Sequence, residues 1–157
     1  MKYRRGRISV DKKILIQYCD MKNEIKDIRA RIKKLDRFLE NPPIISDTVK
    51  GTRRDGTFGP IRITGIPEPM YARKQRLRNR YRQLLEQKEV ELLELAIQAE
   101  EYIQTVPKSE LRIMFRLYYI DGYNYAGVAR QMDSMFPKRK YTEESVRKKI
   151  TRFFEEN

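Results

Sequence analysis

The stretch YYIDGYNYAGVARQM (Tyr118–Met132), followed after DSMFPKRKY by TEESVRKKITRFF (Thr142–Phe154), decides how the chain is read. Each piece carries the marks of a helix with a defined start. Asp121-Gly122 ends the apolar run before it, Asn124 is placed to cap one helix, and Thr142 to cap the other. Glu143 and Glu144 stand in the first turn of the last helix, where the helix dipole favours anions. Val146, Ile150 and Phe153 fall on one side of that helix, and Val128, Ala129 and Met132 on one side of the helix before it. Upstream, Ser109 is a suitable cap for ELRIMFRLYYI, which is apolar on nearly every side and therefore reads as a buried helix.

The last helix is loaded with charge in an ordered way. Successive helical residues lie about 100° apart. With Val146 and Ile150 inward, Glu144, Ser145, Lys148, Thr151 and Arg152 turn outward, and Arg147 and Lys149 lie on the flanks. Polar groups able to meet base edges thus occupy the N-terminal half, with cations where phosphate walls would stand. Lys138, Arg139 and Lys140 in the preceding loop are further phosphate candidates. A solvated basic helix is the competing interpretation.

LRIMFRLYYIDGYNYAGVARQM and TEESVRKKITRFF together resemble the region 4 helix-turn-helix of sigma-70-type factors. The shared pattern is an apolar helix, an IDG turn, xYxxVA, and a helix opening on T-E-x-S-V-R. The chain is similar, more closely, to phage late transcription regulators of the RinA/ArpU type, which join that module to an N-terminal helical hairpin. SDTVKG in the connector is in keeping with that group. The resemblance implies sequence-specific binding of double-stranded DNA near a promoter, with RNA polymerase as a further partner, in the cytoplasm of a bacterial host. It places Glu144, Ser145 and Lys148 at base-facing positions and Ala129 at the small packing position. The chain departs from the pattern at Gly127, where a long polar residue is common, and in DSMFPKRKY, which is longer than the usual tight turn.

Two long helices are expected ahead of this module. Over residues of about 10–40, Ile14, Tyr18, Met21, Ile25, Ile28, Ile32, Leu35 and Leu39 alternate spacings of four and three, a heptad stripe. Asp11 is placed to cap its start, and ENPP ends it. Over about 68–105, the stripe is Leu77, Tyr81, Leu84, Lys88, Leu92, Leu95, Ala99 and Tyr102, with Leu85, Ala96 and Ile103 widening it. Lys88 interrupts that seam, and a break in the heptad follows. The connector at about 41–67 holds Gly51, Gly56, Gly59, Gly65, Pro42, Pro43, Pro60 and Pro67. Asp55-Gly56 favours a type I′ turn, and PIRIT alternates like a strand, so a small β-hairpin is open beside a mobile arm. A flexible linker is favoured over a DNA-contacting arm, although Arg53 and Arg54 keep the arm in view.

The expected fold is therefore all-α, with a small β-hairpin open in the connector: a long antiparallel coiled helical hairpin in residues 1–106, then a C-terminal helix-turn-helix subdomain in 107–157. Composition agrees with a binding protein. The chain has 157 residues, a net charge of +13, one cysteine and no histidine. That charge creates a field that attracts polyanions. Without histidine there is no His-based acid–base or Ser-His-Asp chemistry, and a structural zinc lacks ligands. No Gly-rich phosphate loop occurs, so no catalytic residue, cofactor or metal is expected. Cys19 reads as a small core residue. No apolar run suits a membrane span or a secretory signal.

Three roles compete. A DNA-binding transcription regulator leads. A phage small terminase subunit, which recognises DNA for packaging, usually carries its DNA module before its oligomerisation helices, and here the module comes last. A coiled-coil interaction scaffold would leave the basic face merely solvated. Surface remaining on the long seams suggests a homodimer.

Overall fold

The computed structural model describes residues 4–156, with side chains from Lys12 to Glu156. Along the chain come α1 (Arg4–Glu40), β1 (Ile45–Thr52), β2 (Phe58–Gly65), α2 (Glu68–Thr105) and α3 (Ser109–Phe115). A π-helical turn (Arg116–Ile120) extends α3, and α4 (Tyr125–Met135) and α5 (Glu143–Glu156) complete the chain. No described helix is long and apolar enough to cross a membrane. α1 already runs at Arg4, ahead of the start expected near Val10. The side chain of Asp11, its expected cap, lies outside the described residues.

This is not the all-α hairpin with a following helix-turn-helix subdomain that the sequence suggested. The connector folds into a two-stranded antiparallel sheet, so the molecule is mostly helical with a β element. The chain forms two compact units. One compact unit joins Met1–Ile25 to Lys88–Asn157, and the other is Lys26–Gln87. The reason lies in the core of the first unit. Leu15 of α1, Ala99 and Ile103 of α2, and Val106 form one buried cluster with Met114, Phe115, Val128, Met132, Val146 and Ile150. A helix apolar all round needs cover on more sides than two short helices provide. The ends of α1 and α2 supply the rest.

Hydrogen bonds tie the same elements together. In the π-helical turn the Asp121 amide reaches back to the Arg116 carbonyl at 2.9 Å. The Tyr119 carbonyl accepts from the Cys19 thiol at 3.3 Å, and that of Ile120 from the Lys22 ammonium. Burial raises the Cys19 pKa, which keeps the thiol a proton donor there. Phe115 is fully buried and stacks on Phe154 with ring centroids 5.3 Å apart. Gly122 at φ 78° lets the chain turn out of this helix, and Asn124 Oδ1 then caps α4 by accepting from the Gly127 amide at 2.8 Å. A Cβ on Gly127 would meet the Tyr123 ring at 3.0 Å and that same cap oxygen at 3.1 Å, which accounts for glycine there. Ser109 does not cap α3. Its hydroxyl instead accepts from Arg112, whose guanidinium also covers the Val106 and Pro107 carbonyls.

The α1 stripe is inward as expected, with Ile25, Ile28, Ile32, Leu35 and Leu39 buried, and Leu15 joins it. In the first half of the α2 stripe two positions shift by one residue, while Tyr81 and Lys88 stay where expected. Leu77 and Leu84 are 41% and 36% exposed, whereas Arg78 and Leu85 are half-buried. The more sheltered residues are Tyr71, Lys74, Arg78, Tyr81, Leu85, Lys88, Leu92, Leu95 and Ala99, an unbroken alternation of three and four. The heptad has no break at Lys88; cations at three seam positions conceal it. Each cation has a partner. Within unit Lys26–Gln87, Arg78 and Arg82 meet Asp36 at 3.5 and 3.1 Å, and Lys74 lies over the Phe38 ring. Within the other unit, Lys88 meets Glu24 at 3.4 Å and Glu91 at 3.5 Å.

The sheet pairs Ile45 with Gly65 through to Thr52 with Phe58. The turn is not type I′, since among the described residues only glycines have positive φ and Asp55 therefore does not. It closes through the Gly56 amide on the Arg53 carbonyl and the Arg53 amide on that of Thr57.

Candidate nucleic-acid interface

α5 begins with a reciprocal cap. Thr142 Oγ1 accepts from the Ser145 amide at 3.2 Å, and Ser145 Oγ accepts from the Thr142 amide at 2.9 Å. Val146 and Ile150 are buried against the core. Glu144, Arg147, Lys148, Thr151 and Arg152 form a continuous exposed strip on the opposite side. Of the three residues expected to face bases, Glu144 and Lys148 lie on this strip. Ser145 is half-buried and its hydroxyl is engaged by the cap.

The cations fall into two groups. Lys149 pairs with Glu110 and sits 5.1 Å from the centre of the Tyr141 ring. Arg139 reaches Glu110 at 3.4 Å and lies over Phe136. These two thus clamp α5 and the preceding loop to α3. Burial opposes the charged form of Glu110, but the Lys149 hydrogen bond and both cations outweigh it and hold its pKa below the usual range. Lys138, Lys140 and Arg147, by contrast, are exposed and make no ion pair among the described residues. Lys148 pairs with Glu144 at 2.7 Å, and Arg152 with Glu156 at 3.7 Å. All four of those side chains are well exposed, so water and salt screen the pairs and a stronger anion displaces them easily. The Lys148 ammonium holds the Glu144 carboxyl below its ordinary pKa.

The long loop between α4 and α5 is pinned. The Tyr141 amide donates to Asp133 at 2.8 Å, the Tyr141 side chain is buried, and its ring meets Phe136 at 6.2 Å. Lys138 and Lys140 therefore stand on a fixed support. Lys108 joins Lys148, Lys149 and Arg152 around a groove between α3 and α5. Nothing local marks Lys108 in the sequence, since a lone lysine before a helix is ordinary. A scan against protein-family models and searches of curated proteins and of solved structures find no match.

Proposed function

We propose that the chain is a non-enzymatic, sequence-specific binder of duplex DNA, acting in transcription regulation from a phage or prophage in the bacterial cytoplasm. The outward strip of α5 carries this reading: Glu144, Arg147, Lys148, Thr151 and Arg152 share one exposed face while Val146 and Ile150 fix the opposite one. A helix about 10–12 Å across with its side chains matches a major groove about 12 Å wide. Lys148 and Glu144 then meet base edges, and Arg147, Arg152, Lys138 and Lys140 meet phosphate. The net charge of +13 supplies the attraction. The resemblance of Leu111–Phe154 to sigma-70 region 4 favours a promoter site and a contact with RNA polymerase. No cofactor enters this reading.

A second reading, a protein-interaction scaffold, is favoured by one observation. Val90, Leu93 and Ile97 are 56%, 66% and 61% exposed on one side of α2. The same surface would serve a pair of chains. Selection of bound sequences from a random duplex pool, followed by anisotropy at about 0.1 M salt, tests the primary reading. An enriched site with tighter binding than a scrambled duplex is expected. No duplex binding at that salt would leave the scaffold.

A further inference from the structure

We propose that the β1–β2 ribbon is a second duplex-binding element, with its tip seated in the minor groove. This rests on duplex DNA being the ligand, but not on the assignment of α5. Side chains alternate between the faces of a strand. The register therefore places Lys50, Thr52, Phe58, Pro60 and Arg62 on one face, and Ile45, Val49, Ile61 and Ile63 on the other. The turn beyond holds Arg53 and Arg54. Arg53 lies back along the ribbon against the Pro60 carbonyl at 3.4 Å, and Arg54 is exposed with no ion pair among the described residues.

The two acids of the ribbon are turned to other tasks. Asp47 stands on the opposite face and accepts from the Thr48 amide. Asp55 is tied to the Thr57 amide and hydroxyl at 3.0 and 2.6 Å, and it stabilises the turn. Lys50, Arg53, Arg54 and Arg62 thus leave the ribbon net basic, which favours a polyanion over a basic or purely apolar partner.

Phe58 identifies the kind of contact. It is 73% exposed, and it sits beside the arginine turn because Phe58 pairs with Thr52 at the end of the ladder. A two-stranded ribbon in water is marginally stable, and an exposed phenylalanine at its tip adds little to that. Arginines that fit the negative potential of a narrow minor groove, next to an apolar wedge that enters a base step, form a recognised physical combination. The ribbon carries both within a few residues.

The test uses the full chain and a random-sequence duplex with a fluorophore at each end. Arg53→Ala with Arg54→Ala should weaken binding to this duplex and lower the logarithmic salt slope by about two. Phe58→Ala should leave that slope unchanged and reduce the bend seen as end-to-end energy transfer. A small minor-groove ligand should compete with the wild type. Circular dichroism of each variant should match the wild type, since all three side chains are exposed. An Arg53/Arg54 variant with wild-type affinity and slope overturns the proposal, as does binding indifferent to the minor-groove ligand. If instead Lys148→Ala with Arg152→Ala binds as the wild type while the ribbon variants lose affinity, the α5 reading fails and the ribbon proposal stands. A chain that binds no duplex overturns both.

Discussion

A fragment of residues 107–157 should fail to fold, because its helices share their core with the two long ones. The cut removes Leu15, Ala99, Ile103 and Val106, each between 0% and 1% exposed. It also removes Cys19 and Lys22, which hold the Tyr119 and Ile120 carbonyls. In the full chain, Leu15→Ala isolates part of this effect. A fully buried leucine truncated to alanine costs about 3–5 kcal/mol, transfer and cavity together. A domain of this size has about 5–15 kcal/mol in all, so the variant should lose a large share of its stability. Urea denaturation followed by circular dichroism measures it, with the midpoint falling and the slope unchanged. A cooperative transition in the isolated fragment would refute the shared core. So would a Leu15→Ala cost below about 1 kcal/mol.

Glu110 gives a pH prediction. Its folded pKa lies below the ordinary value of 4.5, so its stabilising effect is present above that value and is lost as pH falls through the folded one. Glu110→Gln should be less stable than the wild type near neutrality, and the difference in thermal melts should close as pH falls below 4.5 and through the lowered folded pKa. Lys149→Ala should cost up to about 1 kcal/mol in urea unfolding, discounted for its half-exposed position, whereas Lys148→Ala, whose pair with Glu144 is fully exposed, should cost less. Equal costs would mean that the Glu110 clamp is idle. Asn124→Ala removes the α4 cap and should lower stability by about 1 kcal/mol by the same assay. Sedimentation should show paired chains that tighten with added salt, because Glu94 and Glu101 near the Leu93 strip repel their copies until screened. Leu93→Asp should return the monomer, and a wild type that is monomeric at tens of micromolar ends that idea.

Much of the local structure was legible. The α1 stripe, the Asn124 and Thr142 caps and the outward face of α5 all follow from spacing and residue type. The register of α2 was not, because Lys74 and Arg78 occupy seam positions that a search for leucines passes over. Arg78 is tolerated there because Asp36 stands opposite, far away in sequence. β1 was hidden for another reason: ISDTVKGT is nearly all exposed, so it shows no inward face to alternate. The shared core escaped because an all-round apolar helix says that it is covered and not by what. At the candidate interface, Arg139 and Lys149 looked the same as Lys138 and Lys148. Only Glu110, brought from α3 by the fold, separates cations that hold the structure from those open to a ligand.

The most direct measurement is anisotropy of the selected duplex and its scrambled counterpart, across a salt series, with Lys148→Ala and Arg152→Ala proteins. Both side chains are exposed on the strip opposite Val146 and Ile150, so neither change should disturb the fold. Lys148→Ala should erase about 1–3 kcal/mol of the preference for the selected site, the worth of a good base contact. Arg152→Ala should weaken both duplexes alike and lower the salt slope by about one. If both variants bind both duplexes as the wild type does, α5 is not the surface that reads DNA.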